Sequence, residues 1–274
     1  MSKQKKSGNL SKNKGTKSDG FLASFDAGNL IPEKYHLPVV LGIITILFLV
    51  FLKPLFFGGM SFESGDIIAA ESSKPYLNKI RDGFSLWNPH IFCGMPAYSI
   101  GIDFTWFNII YVVFTTARNI YTSLFSVDYI KWTFYLLLLS VNMFFLVRHL
   151  TKNFLVGVFS AISVSFSTGI IVFLFIGHVT KLTSLAWYPL VFLILLKFYE
   201  EIRLRDFFIL TVALQLMIQG FHLQIIFYLL LSIGIYYLYN LTIGSKTNEQ
   251  RVRYFKSAGL LAGAIVIAFL IHAD

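Results

Sequence analysis

The sequence predicts an all-α polytopic membrane protein: a bundle of about seven transmembrane helices with a long first outer loop. Three observations predict it. The 274 residues are 56% hydrophobic and only 14% charged, with a mean hydropathy of +0.68, whereas a soluble domain carries about 25% charge. The apolar residues fall in stretches near the roughly 20 that a membrane helix needs. Lys and Arg gather in alternate connecting segments, as they do on the cytoplasmic side of membrane proteins. Such a composition excludes disordered, collagen-like, coiled-coil and disulfide-framed chains. The single cysteine, Cys93, has no partner in the chain for a disulfide.

Residues 1–36 read as a basic, flexible cytoplasmic tail. Lys3, Lys5, Lys6, Lys12, Lys14 and Lys17 stand among Ser, Gly and Asn, a pattern suited to anionic lipid headgroups rather than to nucleic acid. The tail is no cleavable signal, because the apolar stretch behind it is of full spanning length and lacks a small-residue cleavage site. Residues 37–274 form the transmembrane module. The expected spans are 37–57, 130–147, 154–175, 182–198, 206–220, 222–240 and 257–272, with breaks at GHVTK (177–181) and QGFH (219–222). Placing the tail inside puts 1–36, 148–153, 197–206 and 244–256 on the same side, and these segments hold 16 of the 23 Lys and Arg. The short outer turns carry only Lys181. Charge therefore fixes the expected orientation.

The first outer loop, 58–129, differs in kind. Its stretch 104–125 is apolar and aromatic but contains Arg118. We read it as a helix lying in the outer interface, with Trp106, Tyr111 and Tyr121 at headgroup depth.

With this topology the scarce polar groups collect on the outer side, where ionisable residues at membrane depth are functional candidates. Asp66, in GGMSFESGDIIAA, sits among turn formers that return a carboxylate to the membrane surface. There it is suited to act as a general base, or else to cap a helix beginning at Ile67; Glu63 and Glu71 are its rivals. His178 and Lys181 in GHVTK stand at the start of the fourth span and share a face. A helix N-terminus carries partial positive charge and free N–H groups, a seat for phosphate. A snorkelling lysine beside an interfacial histidine is the plainer alternative. His222 opens the sixth span in the same way. WNPHIFCGMPAYS (87–99) is a compact turn in which Trp87, Asn88 and His90 are placed to wall a substrate cleft, or simply to cover the ends of the spans. There is no Walker loop, dinucleotide fingerprint, H-E-x-x-H motif or zinc spacing.

The order of these motifs, with SGDIIAAESSKPYLNKIRDGFSLWNPHIFCGMPAYS after the first span and then GHVTKLTSLAWYPLVFL, resembles the bacterial YfhO-like membrane proteins. These belong to the GT-C superfamily of glycosyltransferases. The resemblance implies transfer of a sugar from a polyprenyl-phosphate-linked donor to a cell-envelope acceptor outside the bacterial cytoplasmic membrane. It also implies a GT-C-like helix bundle in which the essential acid of the first outer loop is Asp66. No cofactor is expected. A role for a divalent metal stays open, because the superfamily's usual pair of adjacent acids is missing here and Ile67 follows Asp66. Relatives of this kind run longer, so the chain is expected to be the N-terminal part of a larger protein. A lipid-linked saccharide flippase or transporter, and a non-catalytic assembly subunit, are the rival readings.

Overall fold

A computed structural model describes residues 31–62, 65, 68, 72, 75–76, 87–89, 93–96, 108–220 and 222–272. The described chain is helical apart from one antiparallel pair of two-residue strands. The first helices are α1 (His36–Phe51) and α2 (Lys53–Phe57), separated at Leu52, where Pro54 enters the first turn of α2. Proline lacks the N–H that would continue the ladder, so the expected span 37–57 is broken near its end. Strands β1 (Trp87–Asn88) and β2 (Met95–Pro96) follow, and then α3 (Ile109–Ser123).

The remaining helices are α4 (Lys131–Thr151), α5 (Phe154–Ser165), α6 (Thr168–Phe175), α7 (Val179–Leu185) and α8 (Tyr188–Glu200), then α9 (Leu204–Gln219), α10 (Leu223–Tyr239) and α11 (Asn248–His272). Among the described residues five stretches are long and apolar enough to cross a membrane: Glu33–Phe51, Asp128–Thr151, Val179–Glu200, Leu223–Gly244 and Asn248–Ile271. The pair α5 and α6, bent by 42°, makes a sixth if taken as one span. The expected segment 206–220 forms α9, whose 16 residues fall short of that length. The expected segment 154–175 is the bent pair. The expected 182–198 begins earlier and is interrupted at Ala186–Trp187, one turn ahead of Pro189.

Outward faces are apolar, as a lipid-solvated bundle requires. Helix α1 buries only His36, Val40, Ile44 and Phe48, a stripe spaced by four residues, while Ile46, Val50 and Phe51 are exposed. Two cores result, one built by α1, α2 and α4 to α7 and the other by α8 to α11. Small side chains let α9 and α11 approach closely, with Ala213 of α9 and Ala264 and Ala268 of α11 fully buried. Buried polar side chains bond across helices: Asn142 Nδ2 donates to the Ala186 carbonyl at 2.8 Å, Tyr237 and Ser257 share a bond at 2.7 Å, and Ser140 meets Ser165. Such bonds average about 0.6 kcal/mol in a membrane, so they set register more than they hold the bundle together.

Contacts at the helix ends define two poles. Tyr129 donates to the Leu174 carbonyl, Thr183 to that of Gly220 and Tyr188 to that of Ile225 at one pole. At the other, His149 faces Glu200, Tyr199 stacks on Tyr254 and Arg148 binds Glu33. The second pole carries Arg148, Lys152, Lys197 and Lys246 and is called the basic end below.

Candidate functional site

Asp66 and His90 lie outside the described residues, as do Glu63 and Glu71. Trp87 opens a tight hairpin, with Trp87 opposite Pro96 and Asn88 opposite Met95. Gly94 closes it at φ +118°, where a Cβ would come within 2.5 Å of the Trp87 ring. The indole, exposed at 54%, thus comes so close to the Gly94 backbone that only glycine fits there.

The structure brings His178, Lys181 and His222 together at the pole opposite the basic end. His178 follows Gly177, at φ 83°, and occupies the N-cap position of α7. Lys181 lies one turn on, and its Nζ sits 5.0 Å from the Phe173 ring centre, a cation–π contact that places the ammonium over an apolar wall. His222 occupies the N-cap position of α10, which packs on α7. Burial, the Lys181 charge and His178 together push the His222 imidazole below its ordinary pKa, which favours its neutral form. Neither histidine caps its helix through its side chain, so no side chain at the N-cap takes the first N–H groups of α7 and α10.

Beside this cluster lies a cavity of about 210 Å³ that the sequence did not reveal. Tyr111 and Arg118 of α3, Tyr135 of α4, Thr180 and Thr183 of α7, and Gln219 of α9 line it. Helix α3 forms its roof. Asn108 caps α3 by accepting from the Tyr111 N–H at 3.0 Å, and makes a long 3.5 Å contact from its Nδ2 to Gln219 Oε1. Phe114 packs among Phe134, Tyr135 and Trp187, and Tyr121 bonds Thr133 at 2.8 Å. The opposite face of α3 exposes Ile109, Val113 and Ile120, leaving the helix one packed and one apolar outward face. Gln215, fully buried on α9, spends its Nε2 on Gln219, and its Oε1 has no partner among the described residues. The available sequence signal was Arg118, the one charge in an aromatic helix, but its neighbours are set by tertiary packing.

Close approach of α7 to α9 shapes the cavity. A Cβ on Gly220 would lie 2.5 Å from Thr183 Oγ1, 3.0 Å from Ser184 Oγ and 3.2 Å from the Met217 carbonyl. Gly220→Val is expected to push the two helices apart and destabilise the protein by about 1–3 kcal/mol, read as a lowered thermal midpoint in detergent. An unchanged midpoint would contradict this packing.

Among the described residues no group of three or more His, Cys, Asp or Glu is placed to hold a metal ion. No family model matches the chain, and no curated protein or solved structure matches it.

Proposed function

We propose that the chain is a membrane glycosyltransferase that moves a sugar from a polyprenyl-phosphate donor to an extracytoplasmic cell-envelope acceptor. The observation that carries this reading is the meeting of two helix N-termini with His178, Lys181 and His222, next to a mainly aromatic cavity under α3 into which Arg118, Thr180, Thr183 and Gln219 bring polar groups. The Lys181 ammonium, two imidazoles and two helix N-termini suit a phosphate. Hydroxyl, amide and guanidinium groups with aromatic rings suit a sugar.

In the proposed reaction the donor phosphate rests against His178 and Lys181, and His222 donates a hydrogen bond to it. Asp66 takes the proton from the acceptor hydroxyl as that oxygen attacks the anomeric carbon. The bond from anomeric carbon to phosphate oxygen breaks, inverting the centre, and polyprenyl phosphate leaves with the electron pair. Lys181 stabilises the charge that develops on it. A phosphate leaves without protonation, so a single carboxylate suffices.

Proteoliposomes holding the purified chain test this directly. Supplied with a labelled polyprenyl-phosphate sugar and envelope acceptor, they are expected to form labelled glycan and release polyprenyl phosphate. Movement of the donor between leaflets without transfer would replace the reading with that of a flippase.

A further inference from the structure

We infer that the basic end carries a second binding site, for the phosphate of an anionic phospholipid. A cavity of about 450 Å³ opens there between the ends of α4 and α8. Arg148, His149 and Lys152 line it from α4 and the turn that follows, and Lys197 from the last turn of α8. Phe145 and Leu193 form its apolar floor. The inference is independent of the glycosyltransferase reading, which concerns the opposite pole.

The charges in this cavity are only partly balanced. Arg148 donates to Glu33 at 2.8 Å, and His149 faces Glu200 at 3.3 Å. Among the described residues, Lys152 and Lys197 have no ion-pair partner. Lysines near a helix C-terminus complement the dipole, which would explain them singly on a convex surface. Here two helix ends aim them into one concavity, where their mutual repulsion is relieved by a bound anion. Lys152 is held by the backbone, as the residue that ends α4 in the left-handed region at φ 57°.

The surroundings select a lipid as the source of that anion. Leu150, Leu155, Ile202 and Leu204, all exposed, surround this pole with apolar surface. A phosphodiester seated among the lysines leaves its acyl chains along this apolar belt, the arrangement of basic headgroup pockets at membrane helix ends. Glu33, exposed at the mouth, occupies part of the same field with the sign of the ligand.

The full chain in phosphatidylcholine nanodiscs, titrated with phosphatidylglycerol and read by native mass spectrometry, tests the site. One tightly held phosphatidylglycerol is expected. The Lys152→Ala/Lys197→Ala variant is expected to bind it about 30-fold more weakly, and Lys152→Arg/Lys197→Arg to restore binding. Glu33→Gln, which removes a like charge without touching the lysines, is expected to tighten binding about fivefold. Equal binding by the Ala variant would overturn the proposal, as would equal retention of phosphatidylcholine. Binding of inorganic phosphate as tightly as the lipid would also overturn it, assigning the cavity to a free anion.

Discussion

Asp66→Asn is expected to slow sugar transfer by about 10²–10⁴-fold with little change in donor affinity. The amide matches the carboxylate in shape but accepts no proton, so the loss falls on the chemical step rather than on binding. In the proposed site, donor contacts come from His178, Lys181 and His222, on other segments of the chain. A fall in kcat at constant KM for the donor, with unchanged expression and thermal midpoint, is therefore the expected signature. Asp66→Glu keeps the base at a different reach and is expected to recover part of the rate. Full activity of Asp66→Asn would remove Asp66 from the mechanism.

Lys181→Ala is expected to cost about 10²–10³-fold in transfer, the usual loss when one preorganised group facing developing charge is removed. Its Nζ sits over the Phe173 ring and beside two histidines, where a charge acts more strongly than in open water. The variant also carries a pH signature. Lys181 helps to hold the His222 pKa below its ordinary 6.5. Without that charge the His222 pKa rises toward this value, so acidification protonates His222 more readily and returns positive charge to the site. The deficit of Lys181→Ala relative to wild type is thus expected to be smaller near pH 6 than near pH 8. A deficit independent of pH would separate Lys181 from His222.

The helical membrane class was legible in the sequence because lipid leaves apolar stretches almost no other option. Segment ends were less so. Helix α11 begins at Asn248 rather than near 257, because Thr247 Oγ1 accepts from the Gln250 N–H at 3.2 Å and Gln250 Oε1 accepts from the Lys246 N–H at 2.8 Å. This is a capping arrangement whose spacing is visible in TNEQ but overshadowed there by charge. The break at Ala186–Trp187 lies inside the expected span 182–198 and its available signal is Pro189, whereas the bend between α5 and α6 has only Ser167 and Thr168 to mark it.

The shared face of His178 and Lys181 follows from helical spacing; the expected topology placed His222 only on the same side, and its approach to both comes from the packing of α10 on α7. Arg118 could not be assigned in the same way. Its place in the cavity depends on α3 turning back onto α4 and α9, a fold driven by Phe114 among aromatic rings distant in sequence. Lys152 and Lys197 read in the sequence as ordinary orientation signals; only the fold places them at one cavity.

Separation of the two poles across the bilayer is the central claim, and single-cysteine labelling tests it most directly. In a Cys93→Ser background, a membrane-impermeant maleimide added outside intact cells is expected to label Thr180→Cys and Gln224→Cys. It is expected to reach Thr151→Cys and Ile202→Cys only after permeabilisation. Labelling of both pairs from the same side, or of the second pair alone from outside, would contradict an extracytoplasmic cluster of His178, Lys181 and His222.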